Sequence, residues 1–113
     1  MDRFVINKEG AKDGLRSGNL ILGDRQIGKT EALMEVIHED HKGEAVVVLP
    51  TDTLRDIFKD RYHKKYPDDP IPITDPPHIA GRGRSLPMYA DVLSLFPEAN
   101  RQHLEGQLRA AIW

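Results

Sequence analysis

The chain has 113 residues, 39% hydrophobic and 30% charged, with a formal net charge of −2 and no cysteine. That length supports one small core. The missing thiols exclude disulfides, thiolate zinc sites and cysteine nucleophiles, and they suit a cytoplasmic setting. The near-neutral charge gives no global field for nucleic acid, so net charge does not support DNA as a partner. No apolar run approaches a membrane span, and Met1–Gly10 has no signal-peptide stretch.

Residues 1–17 are polar apart from Phe4, Val5 and Ile6, and read as a loose lead-in or one short edge strand. Asn19–Leu22 is a brief apolar run closed by Gly23, which predicts a buried strand. From Gly28 to His41 the period changes. Ala32, Leu33, Val36 and Ile37 share one helical face, and Lys42-Gly43 ends the helix. Ala45–Leu49 is an uninterrupted β-branched run, the pattern of a strand covered on both faces, and Pro50 stops it. Thr53 is the expected N-cap of a second helix carrying Leu54, Ile57, Phe58 and Tyr62 at helical spacing. The prolines and glycines between Tyr66 and Arg84 leave room only for a short edge strand at Ile71–Ile73. Pro87–Asp91 reads as an apolar strand ending in an acid. Pro97 opens a final helix whose expected apolar face is Leu104, Leu108, Ala111 and Ile112. The alternation predicts one α/β domain over 1–113, with a small, mostly parallel sheet of three to five strands flanked by helices in a three-layer sandwich.

One segment carries specific chemistry. Gly23-Asp24-Arg25-Gln26-Ile27-Gly28-Lys29-Thr30 fits G-x-x-x-x-G-K-[ST] between a strand and a helix, a pattern that arises by chance in roughly 0.4% of chains of this length. The glycines allow backbone turns closed to other residues and let amides approach phosphate oxygens, while the helix N-terminus favours anions. In a site of this kind Lys29 reaches the outer phosphates and the Thr30 hydroxyl sits on Mg²⁺. Asp91 is the matching acid for the metal, at the end of another apolar strand. The bland alternatives are a glycine-rich turn with a chance lysine, and an aspartate that only caps the next turn.

The loop resembles that of P-loop NTPases generally. Its finer texture, Arg25-Gln26-Ile27-Gly28-Lys29-Thr30, resembles the R-Q-x-G-K-[ST] form of phage terminase ATPases and related helicase-like motors. Val47-Val48-Leu49-Pro50-Thr51 is similar to their second strand, and Gly81-Arg82-Gly83-Arg84-Ser85 to the stretch before their Walker B strand. The resemblance covers about Asn19 to Asp91. It implies a reduced P-loop domain that binds ATP with Mg²⁺. Gly23 to Glu31 would lie around the nucleotide, Lys29 and Asp91 would serve as catalytic groups, and Thr30 and Asp91 would be the metal ligands. No guanine-specifying N-K-x-D stretch is present, so ATP is preferred to GTP. In those motors an acid follows the Walker B aspartate, whereas here Val92 does. Nothing in the spacing makes Glu31 or Glu98 its replacement. Weak hydrolysis by the isolated chain is therefore expected, with a homo-oligomer or a larger protein partner to complete the site, in a host cytoplasm if the protein is phage encoded. A P-loop-fold adaptor that has lost hydrolysis is the alternative, and a nucleotide kinase is disfavoured because residues 66–84 make a poor helical lid.

Arg82 and Arg84 read as solvated loop residues, with an arginine finger or a nucleic-acid contact as the sharper alternative. His38 and His41 stand three apart, a spacing that can hold a metal, but no third ligand suggests itself.

Overall fold

The computed structural model describes residues 1–80, 85–104 and 106–113, apart from the Arg25 side chain. Six strands are present: β1 (Asp2–Phe4), β2 (Leu20–Leu22), β3 (Val46–Val48), β4 (Ile73–Asp75), β5 (Met88–Ala90) and β6 (Ala110–Ile112). They form one sheet in the order β1-β2-β6-β5-β3-β4 with every pairing parallel. Four helices flank it: α1 (Lys8–Arg16), α2 (Lys29–His41), α3 (Asp52–Lys65) and α4 (Glu98–Leu104). The α/β class is as the sequence predicts, and the sheet is one strand larger than expected.

The connections β1-α1-β2, β2-α2-β3 and β3-α3-β4 all advance across the sheet in one direction, whereas β4 to β5 and β5-α4-β6 return. With right-handed crossovers, the first three helices must cover one face and the returning segments the other. The core divides accordingly. Ala11, Leu15, Leu33, Ile37, Phe58 and Tyr62 pack on Ile21, Val47, Tyr89 and Ile112. On the opposite face Ala80, Phe96 and Leu104 pack on Val46, Val48, Ala90 and Ala111. Val46, Val47 and Val48 are all buried, as a strand covered on both sides requires.

Four details differ from the sequence expectation. Residues 8–16 form a helix, opened by the Asn7 side chain, which accepts from the Gly10 amide at 2.8 Å. Its own apolar face is thin. Lys8, Lys12 and Arg16 secure it by ion pairs to Glu35, Glu39 and Asp40 of α2, which a local pattern cannot reveal. The α3 cap is Thr51, whose hydroxyl accepts from the Leu54 amide at 3.1 Å, so the helix starts two residues before the expected Thr53 cap allows. The final helix stops at Leu104, and Ala110–Ile112 is strand β6, inserted between β2 and β5. Leu104 and Leu108 suit a helical face as well as a turn, and the gap between those two strands decides the outcome. The edge strand expected at Ile71–Ile73 forms at Ile73–Asp75 and lies at the sheet edge. Gly81, Arg82, Gly83 and Arg84 lie outside the described residues.

Candidate functional site

In an open parallel sheet, ligands bind beyond the carboxyl ends of strands whose connections leave toward opposite faces. Here those strands are β2, followed by α2 on one face, and β5, whose connection leaves on the other. They stand roughly 10 Å apart with β6 between them. A cleft of 490 Å³ opens there, lined by residues of the α2 N-terminus, the turn after β5, and Arg61 of α3.

The loop from Gly23 to Gly28 rises from β2, makes a 3-10 turn over Arg25–Ile27 and enters α2. Both glycines are required by shape. A Cβ on Gly23 would lie 2.7 Å from the Val5 carbonyl oxygen and 2.8 Å from the Ile27 side chain. Gly28 has φ 82° and ψ 37°, the left-handed conformation that other residues adopt at a cost. Ile27 is half-buried and packs on the core, while Asp24 and Gln26 are exposed. The Asp24 side chain makes no cap bond, and the side chain of Arg25 lies outside the described residues. The Lys29 ammonium folds back to donate to the Gly23 carbonyl.

Thr30 and Asp91 are 61 positions apart in sequence, and the fold brings them into contact. The Thr30 hydroxyl donates to Asp91 Oδ2 at 2.9 Å. Asp91 is 3% exposed, and its other oxygen, Oδ1, has no hydrogen-bond partner among the described residues. Burial pushes the Asp91 carboxyl above its ordinary value, against the opposing pull of Thr30, the Val92 amide, Arg61 and Lys29. Buried polar atoms are nearly always satisfied, so an orphaned carboxylate oxygen on a residue that lines a cleft is suited to a cation or a donor supplied from outside. The adjoining hydroxyl and carboxylate are hard oxygen donors, the set that Mg²⁺ prefers, and they fit such an ion. Val92, next in the chain, is left-handed at φ 56° and ψ 46° and contributes an apolar wall to the cleft.

Glu31 also borders the cleft, but Lys65 holds it at 2.5 Å and lowers its carboxyl. Glu98 lies in a different cleft of 410 Å³, with Arg101 and Leu20. Neither is placed as a free base beside Thr30. Arg61 is not singled out by sequence, although a signal exists: positions 57, 58, 64 and 65, its helical neighbours, carry no acid. Trp113 closes the cleft, its backbone fixed between the Ile21 carbonyl and the Ser94 amide at 2.9 and 3.0 Å.

The two histidines of α2 are not turned to a common point. His38 Nδ1 lies 2.7 Å from Asp69 Oδ2 and its ring stacks on Tyr66, while His41 Nε2 lies 2.9 Å from the Tyr89 hydroxyl. No cluster of three metal-ligating side chains occurs among the described residues, and no helix among them is long and apolar enough to cross a membrane. No protein-family model, no curated protein and no solved structure matches the chain.

Proposed function

We propose that this chain is a nucleotide-binding domain of the P-loop kind, resembling a phage terminase or helicase-like ATPase core, which takes ATP with Mg²⁺. The observation that carries the reading is the Thr30–Asp91 contact, with Asp91 Oδ1 buried and unpaired among the described residues on a residue that lines the same cleft as Lys29. Thr30 and Asp91 would hold the metal, which when bound neutralises phosphate charge. Lys29 exchanges the Gly23 carbonyl for a phosphate oxygen, a charge-assisted contact that a neutral carbonyl cannot match. The first amides of α2 have no helical acceptor and are available to the inner phosphates. A cytoplasmic setting suits both the cysteine-free sequence and this ligand.

Hydrolysis needs a group that orients water. Val92 occupies the place where the resembling motors carry an acid, and Glu31 is held by Lys65. This favours slow turnover by the chain alone, and keeps a non-hydrolysing adaptor as the second reading. Calorimetric titration of ATP with Mg²⁺ into the wild type and Lys29→Ala tests the site. Micromolar binding lost in the variant supports it, and absence of heat in a folded wild type overturns it. Single-turnover release of the terminal phosphate then separates ATPase from adaptor.

A further inference from the structure

The cations of α3 are almost all matched by acids. Arg55 pairs with Asp52, Lys59 with Asp56 at 3.9 Å, Lys64 with Asp60 at 3.0 Å and Lys65 with Glu31 at 2.5 Å. Arg61 makes no ion pair among the described residues, and it lines the same cleft as Lys29, Thr30 and Asp91. Arg61 reaches the cleft from α3 and Lys29 from the start of α2, so the two cations come to it from different elements. A guanidinium free of acid partners presents a planar fork of donors suited to two oxygens of one phosphate.

We propose that Arg61 makes this cleft select nucleoside triphosphates over diphosphates, by reaching the terminal phosphate from within the same chain. The proposal rests on the nucleotide-binding reading above. The loop amides and the start of α2 take the inner phosphates, so the group extending toward Thr30, Asp91 and Arg61 is the last one. A diphosphate leaves that place empty and makes no use of Arg61. Lys65 contributes indirectly: by holding Glu31, it keeps a second carboxylate from repelling the terminal phosphate.

The test is titration of ATP and of ADP, each with Mg²⁺, into the wild type, Arg61→Gln, Arg61→Lys and Lys29→Ala, with circular dichroism as the check on folding. The wild type should prefer ATP by about tenfold or more, the scale of one charged contact. Arg61→Gln should bring that ratio to about one while leaving ADP affinity within about twofold. Arg61→Lys, with charge but no fork, should fall between. Equal weakening of both nucleotides, or no change in the ratio, would overturn the role of Arg61 while the binding site survives. A folded wild type that takes up neither nucleotide would overturn the underlying reading and this one with it.

Discussion

Burying Asp91 with one oxygen unpaired costs the ligand-free fold on the order of 1–3 kcal/mol, because Oδ1 loses water without gaining a donor among the described residues. Burial raises the Asp91 carboxyl, so the fold favours the protonated form, and the ionised group destabilises it near neutral pH. Val92 adds strain beside it, since a β-branched residue in the left-handed region costs about 1–3 kcal/mol. The proposed ligand would offset both costs, which stand at adjacent positions. Asp91→Asn keeps an acceptor for Thr30 and removes the buried charge. Its expected outcome is a higher melting temperature without ligand, by about 1–2 kcal/mol in stability, together with loss of Mg²⁺-dependent ATP binding. A variant less stable than the wild type would contradict this account. The candidate site is legible in the sequence where it is local: Gly23, Gly28, Lys29 and Thr30 lie in one short run. Asp91 stands out as the acid ending an apolar strand, but its contact with Thr30 depends on strand order.

Among the elements, α1 shows how a helix poor in apolar residues is kept in place. Lys12 is buried between Glu35 and Glu39 at 3.2 and 2.9 Å, and Lys8 meets Glu35 at 2.7 Å. Burial on its own would raise the Glu35 carboxyl, but the hydrogen bonds from Lys8 and Lys12 bring it down to about 2. A lowered carboxyl contributes stability that is present above its ordinary value near 4.5 and is lost as pH falls toward about 2. Glu35→Gln should lower the melting temperature at neutral pH and flatten its fall through that acid window. An unchanged acid limb would show that the α1–α2 seam does not depend on this charge. The same seam explains why α1 escapes a local reading: its partners lie more than twenty positions away. Strand β6 escapes it for a related reason. Ala110-Ala111-Ile112 continues an apparent helical face from Leu104, and only the slot between β2 and β5 makes it extended.

For the whole molecule, the sheet consists of two parts joined through one strand. Among the described residues, β1-β2 and β5-β3-β4 pair within the sheet only by way of β6. The proposed ligand touches both parts, Thr30 on one side and Asp91 on the other, so binding should reinforce the joint. At a ligand concentration a hundred times Kd, stabilisation is about 2.7 kcal/mol. Hydrogen exchange with ATP and Mg²⁺ should slow at the amides of β2, β5 and β6, and the effect should vanish in Lys29→Ala. Protection confined to the loop would show that the two parts are not coupled through the site. The α/β class and the parallel pairing are legible because apolar runs alternate with helical periods. The strand count is not, since a three-residue strand such as Ala110–Ile112 owes its form to its neighbours.

The place of β6 also bears on how the protein is made. It comes after the other five strands in the chain yet occupies the middle of the sheet. A nascent chain lacking it would present two facing strand edges, on β2 and β5, each with a bare row of amides and carbonyls. Those edges accept any extended segment of suitable register, including β6 from a neighbouring copy. Until its own β6 arrives, the protein is open to strand exchange, and the cleft lacks the wall that Ile112 and Trp113 give it.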